Sequence, residues 1–395
     1  MFDRTLNLKI VISAFITSMH SFIFGMNLSI FSTYKEIFIN KEKIASFTMN
    51  ENSFKHAICI ICIGALIANI FVSLVRMEKK PLLIINSSVN VLGQLSIRFA
   101  NNSYYVIFGR FVVGVGAGMT TALVPLYHLQ LAPSNLKGVF GSLNQLFCVL
   151  GIFFGQIFSF YFDKEGNWMT GLNSICIFVF IHFVCTFFII KIEEEVNLTE
   201  NKSVFDLLNN PNSKKSVYTA TLILVGQQIS GIKSIIFYSE ELFSKTNNPK
   251  LYKSFLGLSL IIGTFVSMFI IERFGRKKLL MVSCILASLN LLLLAFNKFI
   301  FLAIFGFIIG YSIGLGPIPW FIAGELYPKE YKKSGTVVGI AANWLTNYTL
   351  ALNFPFLLSH SPKYAFIPLF VALTGLVIYI YFFFPETKDR KPGFL

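Results

Sequence analysis

Charge is scarce in this chain of 395 residues: only 13% of positions are Asp, Glu, Lys or Arg, while 55% are hydrophobic and 45 are Phe. A water-soluble domain carries about twice that share of charge, so a soluble globular protein is excluded. Acidic residues are scarcer still, 19 against 33 Lys and Arg, giving a net charge of +14. Cysteine is limited to six residues, at 59, 62, 148, 176, 185 and 284. All six fall inside apolar runs, so none can staple an outer loop, and Cys59-Ile-Ile-Cys62 reads as packing rather than as a redox or metal pair. No cofactor is implied. Nucleotide-binding signatures are absent as well. Gly226-Gln-Gln-Ile-Ser-Gly231-Ile-Lys233 has an isoleucine between its second glycine and its lysine and lies in an apolar run, so it is no phosphate loop.

What is present is a succession of apolar runs, each long enough to cross a bilayer at about 20 residues per crossing. Twelve are predicted, near 10–31, 54–75, 81–99, 105–129, 139–161, 171–190, 217–239, 252–271, 279–296, 299–322, 334–357 and 364–384. The fold class is therefore an all-α membrane protein. The expected organisation is a six-helix bundle over 1–190, a linker over 191–216 with a short surface helix at Ser203–Leu208, a second bundle over 217–384 and a tail over 385–395. An even number of crossings puts both termini on one side, and most of the Lys and Arg gather on that side. By the positive-inside bias it is the cytoplasmic side. The plasma membrane is the expected location. The same bias accounts for the net charge, so a nucleic-acid partner is not implied. The first run is too long for a cleaved signal core. Asn101-Asn-Ser103 is the sequon best placed for glycosylation.

Two patterns recur about half a chain apart. Gln130-Leu-Ala-Pro133-Ser-Asn-Leu-Lys137 reappears as Glu325-Leu-Tyr-Pro328-Lys-Glu-Tyr-Lys332, and Arg76-Met-Glu-Lys79-Lys80 is answered by Arg273-Phe-Gly-Arg276-Lys277. Matched offsets point to a duplicated six-helix unit, a plan on which transporters are built around a central site. Polar groups at membrane depth mark such a site, because each is costly unless it faces a protein interior or an aqueous cavity. Gln227, Gln228 and Lys233 are the leading candidates by that rule.

Gly109-Arg110 with Gly114, Gly116 and Gly118, Pro125-Leu-Tyr, Gly141-Ser-Leu-Asn-Gln145-Leu, Gln227-Gln-Ile-Ser-Gly231-Ile, Glu272-Arg-Phe-Gly-Arg276-Lys, Gly316-Pro-Ile-Pro-Trp320-Phe, Asn343-Trp344 and Pro385-Glu-Thr-Lys388 occur in that order. In these motifs the chain resembles the sugar porters of the major facilitator superfamily, in particular the facilitative glucose-transporter branch. The resemblance implies a major facilitator fold of two pseudo-symmetric six-helix bundles, no enzymatic activity, and a small-molecule sugar as partner besides the bilayer, with a monomer sufficient for transport. It also implies that Gln156, Gln227, Gln228, Trp320 and Asn343 contact sugar, with Lys233 at a family asparagine position. Tyr238 matches an outer-gate aromatic. Arg110, Lys137, Glu272, Arg273, Arg276, Glu325 and Lys332 match an inner gate of ion pairs. Plain interhelical hydrogen bonds for the amides, and topogenic charge for the basic residues, remain the alternative roles.

Several family positions are altered. Glu78 stands for a glycine, Gln130 for an acid, and Lys191-Ile-Glu-Glu-Glu195 for a Pro-Glu-Ser-Pro-Arg motif, which together imply a weaker inner gate. Leu260 replaces a site asparagine and Ser312 an acid. Asn27 occupies the position where proton-coupled members carry aspartate. A lone His182 reads as a hydrogen-bonded packing residue. The expectation is thus a facilitative hexose uniporter, glucose foremost, working by alternating access. The alternatives are a carrier of an anionic or modified metabolite, prompted by Lys233, and a sugar sensor that does not transport.

Overall fold

The computed structural model describes residues 7–39, 47–75, 77–133, 136–162, 167–192, 202–237 and 249–388. With no water at membrane depth, each crossing must satisfy its own backbone, and the helix is the form in which it can. Twelve crossings result. The first six are α1 (Leu8–Thr33), α3 (Glu51–Leu74), α4 (Lys79–Arg98), α5 (Ser103–Leu131), α6 (Lys137–Phe162) and α7 (Trp168–Thr186), with a short α2 (Lys35–Ile39) after the first. A surface helix, α8 (Val204–Asn209), follows. The seventh crossing is split into α9 (Lys214–Ile229) and α10 (Ile232–Phe237). Then come α11 (Pro249–Phe274) and α12 (Arg276–Ala295), a tenth crossing split into α13 (Ile300–Ile313) and α14 (Ile318–Leu326), and finally α15 (Lys332–His360) and α16 (Pro362–Phe383).

Among the described residues, nine crossings satisfy length and hydropathy outright. The other three are the third, seventh and eleventh. The third, α4, carries Asn86, Ser87, Ser88, Asn90, Gln94 and Ser96. The seventh is broken at Gly231, whose φ of +81° ends α9. The eleventh, α15, holds Asn343, Asn347 and Asn353. Most of these polar side chains point inward, as the burial of Asn86, Ser87, Asn90, Gln94, Asn343 and Asn347 shows, whereas Asn353 is exposed. Outward faces are apolar: Ile67, Phe180, Phe265, Leu302 and Phe356 are exposed, a surface suited to acyl chains and not to water.

The helix contacts are two-fold. Within the first half α1 packs on α6, α4 on α5, and α4 on α7; adding six crossings gives α9 on α15, α12 on α13, and α12 on α16, all observed. Between the halves, α3 packs on α15 and α6 on α11, two contacts that exchange under the same operation. Close approach inside a half depends on Gly114 and Gly118 of α5. A methyl added there would stand 2.8 Å from the Ile61 Cα and 2.6 Å from the Ala65 Cα, so α3 could not lie where it does.

Histidine 182 is not alone. Its Nε2 hydrogen-bonds the Ile16 carbonyl at 3.1 Å, and its ring meets that of His20 edge-on with centroids 4.3 Å apart. His20 in turn reaches Ser87 at 3.0 Å, and Ser87 reaches Thr186 at 2.9 Å. Three crossings of the first half are tied together there. The linker helix begins at a capping box: Ser203 Oγ accepts from the Asp206 N–H at 3.1 Å while the Asp206 carboxylate accepts from the Ser203 N–H at 2.9 Å.

Candidate functional site

The break in the tenth crossing creates the first site feature. Gly314, Gly316, Pro317 and Pro319 interrupt the helix between Ile313 and Ile318, which leaves carbonyls without helical partners. Gln227 takes two of them, its Nε2 donating to the Leu315 and Gly316 carbonyls at 3.0 Å each. Its Oε1 accepts from Asn343 Nδ2 at 3.0 Å, and Asn343 Oδ1 accepts from Gln228 Nε2 at 3.1 Å. Asn343 also donates to the Leu224 carbonyl at 2.7 Å. The three amides therefore form one network joining the seventh, tenth and eleventh crossings, and all are buried. Tyr311, on the same broken crossing, lines a cavity.

That cavity lies between the halves. Gln145, Cys148 and Ile152 of α6 line one wall; Lys233 and Ile236 of α10, Leu260 of α11, Tyr311 of α13 and Trp320 of α14 line the other. Trp320 Nε1 donates to Gln145 Oε1 at 3.0 Å, bridging the two halves. Lys233 is partly exposed, and its ammonium sits 5.0 Å from the centre of the Phe24 ring. Gln156 is buried, its amide oxygen against Gly257 of α11. The free space is about 20 Å³. Such a volume holds little more than a water, so the cavity is closed to larger molecules in this conformation. Of the two altered cavity positions, Leu260 lines the wall, whereas Ser312 turns back to its own helix and donates to the Ile308 carbonyl at 2.8 Å.

The second feature is a charge cluster on the face where α1 begins and α16 ends. Arg276 is 3% exposed. It meets Glu325 at 2.9 Å and Glu272 at 3.4 Å. Glu272 also accepts the Gly138 N–H at 2.5 Å, a bond that crosses between the halves next to Lys137. A second crossing bond comes from Lys333, the neighbour of Lys332, whose Nζ donates to the Val75 carbonyl at 2.5 Å. Glu386 was not expected in this cluster. Its carboxylate caps α12, accepting from the backbone N–H groups of Arg276 at 2.8 Å and Lys277 at 3.1 Å, where the helix dipole favours an anion. Thr387 donates to Glu325. The Pro385-Glu-Thr-Lys388 motif thus folds back under the helix ends, a long-range contact that no local pattern announces.

One gate expectation needs correcting. Arg110 lies seven residues into α5, near the opposite end of the bundle from Glu272, about 30 Å from the end of its helix at 1.5 Å per residue. There it donates to the Ala57 carbonyl at 3.1 Å and the Asn27 carbonyl at 2.9 Å, with the Phe31 ring 4.4 Å beneath it. It cannot join the cluster at the other face. Arg273 is exposed and, among the described residues, makes no ion pair. Lys137 likewise makes no ion pair among the described residues. Tyr238 lies outside the described residues.

Two altered positions meet each other: Lys191 Nζ, at the start of the linker, lies 3.0 Å from Glu78 Oε1 of the first half.

Comparison with known proteins adds independent support. The family model "Sugar (and other) transporter" matches residues 13–190 and 189–391. Human facilitated glucose transporter member 4 is 26% identical, the alignment covering 85% of this chain and 77% of that protein. Mouse facilitated glucose transporter member 3 is also 26% identical, over 97% of this chain and 91% of that one. Among solved structures, the proton:xylose symporter XylE bound to 6-bromo-6-deoxy-D-glucose superposes with a TM-score of 0.83 at 15% identity, covering 97% of this chain and 98% of that one. Its inward-open form from E. coli gives 0.75 at 17% identity. With motifs, two-fold helix contacts and family match in agreement, the chain belongs to the sugar porter family of the major facilitator superfamily, whose members are multi-pass membrane transporters and not enzymes.

Proposed function

We propose that this sugar transporter is a facilitative uniporter of hexoses, glucose foremost, working by alternating access. The observation that carries uniport is Asn27. Its Oδ1 accepts from Gln94 Nε2 at 2.6 Å and its carbonyl accepts from Arg110. An amide there has no proton to exchange in the physiological range, and Arg110 is satisfied by carbonyls instead of a titrating carboxylate. The similarity to facilitated glucose transporters supports glucose as the leading substrate.

In this proposal Gln156, Gln227, Gln228, Lys233, Trp320 and Asn343 contact sugar when the halves part, trading interhelical hydrogen bonds for sugar hydroxyls. Amides suit that exchange because each both donates and accepts. Tyr238 closes the outer mouth. Glu272, Arg276 and Glu325, supported by Glu386 and Lys333, close the inner one, with Lys137 and Lys332 flanking it. The bundles 1–190 and 217–384, joined by 191–216, rock against each other, and the start of the tail 385–395, at Glu386 and Thr387, is tied under the second. Lys79, Lys80, Lys214, Lys215, Lys277 and Lys332 all lie at helix ends on one face, which supports the reading of that face and both termini as cytoplasmic; the plasma membrane is the proposed location.

Proteoliposome uptake tests this directly. Entry of D-glucose down its gradient, with equal rates with and without an imposed pH gradient, is the expected result. Uptake that requires the pH gradient overturns uniport, and binding without counterflow exchange overturns transport in favour of a sensor.

A further inference from the structure

Buried cations in folded proteins are paired, because removing a charge from water costs several kcal/mol that a partner must offset. Arg276 follows that rule with Glu325 and Glu272. Lys233 does not. Among the described residues it has no ion pair, and its one specific neighbour is the face of Phe24 at 5.0 Å. Among the described residues the cavity wall around it contains Gln145, Cys148, Leu260, Tyr311 and Trp320 and no carboxylate. Arg110 adds a buried charge in the same membrane region, its guanidinium held, among the described residues, by two carbonyls and a ring. The apolar bilayer outside offers no counter-ion, so among the described residues the charge balance of this cavity is incomplete.

We propose that Lys233 is an anion subsite: the transported ligand is taken up together with one negative group that rests on the Lys233 ammonium. This deepens the sugar-porter reading and rests on it for the remainder of the ligand. The geometry suits a small acidic group. Lys233 and Trp320 belong to the same cavity, so a pyranose ring lying on the indole places its substituents within reach of the ammonium. Gln145 and Tyr311 in the same wall supply neutral donors and acceptors for the hydroxyls. A lysine acts as a point charge with three donors, so it accepts carboxylate, phosphate or halide alike. The anionic group has two possible sources, the acid group of a sugar derivative or a free inorganic anion bound beside a neutral hexose.

The purified full chain in chloride-free detergent buffer tests the proposal, with tryptophan fluorescence as the readout because Trp320 lies in the cavity wall. D-glucose, D-glucuronate and sodium chloride are the probes. If the acid belongs to the substrate, D-glucuronate binds at least about tenfold more tightly than D-glucose; if it is a free anion, chloride tightens D-glucose binding by about the same factor. Either preference disappears in Lys233→Asn and in the longer, apolar Lys233→Met, and persists in Lys233→Arg. Equal affinities for D-glucose and D-glucuronate with no chloride effect overturn the subsite, and so does a preference that survives both neutral variants. The ligand comparison on the unaltered chain needs no variant to fold. A response to chloride without a response to either sugar overturns the hexose reading while leaving the anion subsite standing.

Discussion

Trp320 donates its indole N–H to Gln145 across the boundary between the two halves, at 3.0 Å, in a cavity wall where neither residue is more than 5% exposed. An indole donor buried without a partner costs about 1–3 kcal/mol. Gln145→Ala removes the acceptor and leaves the donor facing an occluded space, so the closed conformation loses stability relative to open ones. The expected outcome is a rise of about three- to tenfold in the KM for D-glucose in proteoliposomes, with a smaller change in the maximal rate. A KM unchanged from the parent would show that the bond does not stabilise the sugar-holding conformation.

The terminal-face cluster yields a conformational test. Arg276→Met removes both ion pairs and leaves Glu325 and Glu272 as partly buried, unpaired carboxylates. Leaving such groups uncompensated costs about 1–3 kcal/mol, which moves a two-state equilibrium about tenfold or more toward opening at that face. Cys148 lines the cavity and reports the opening. A membrane-impermeant maleimide applied from the terminal face should label Cys148 about tenfold faster in Arg276→Met, measured peptide by peptide by mass spectrometry. Equal labelling would remove the cluster from the gate.

The helices were legible because lipid reduces the problem to one variable, the length of apolar runs, and even the broken tenth crossing announces itself in Pro317 and Pro319. The amide network was half legible. Buried Gln227, Gln228 and Asn343 stand out in apolar segments, but which carbonyls they satisfy depends on the break in another helix. Arg110 was misplaced although its position was readable: it lies near the start of a crossing that begins on the far face, and counting from Ser103 places it there. Glu386 was hidden for a different reason. Its role depends on a tail that folds back to the start of α12, more than 100 residues away in sequence. The Lys191–Glu78 pair was hidden likewise, since two departures from a pattern read as losses until their proximity shows that they match.

Protonation should affect the linker before the bundle. The bonds from the Ser203 backbone and then its side chain hold the Asp206 carboxyl below its ordinary 3.8. A carboxyl whose folded value lies below its unfolded value stabilises above the unfolded value, and the contribution fades as pH falls through the folded one. Hydrogen-exchange protection of the amides at Leu207 and Asn210, corrected for intrinsic rates, should therefore stay level from about pH 7 to about pH 5 and fall only below about 4. Ser203→Ala should move that fall upward. Protection lost already near pH 6 would mean that another group controls the helix.

Gly275 and Gly375 make a matched pair for stability. Gly275 has φ +82° and ψ 173°, backbone that only glycine adopts readily, and a methyl added there would stand 2.7 Å from the carboxyl carbon of Glu386. Gly275→Ala thus incurs about 1–3 kcal/mol of backbone strain and displaces the carboxylate that caps α12. Gly375 lies inside α16 with nothing within 4 Å of the position a methyl would take. Gly375→Ala removes only the conformational freedom of the unfolded chain and gains about 0.5–1 kcal/mol of helix preference. Thermal unfolding of the purified chain should show Gly275→Ala melting at least about 2 °C below the parent and Gly375→Ala at or above it. Because both changes add the same methyl, opposite shifts isolate the backbone and the Glu386 contact as the cause. A Gly275→Ala midpoint equal to that of Gly375→Ala would mean that the tail and the start of α12 are not held together as described.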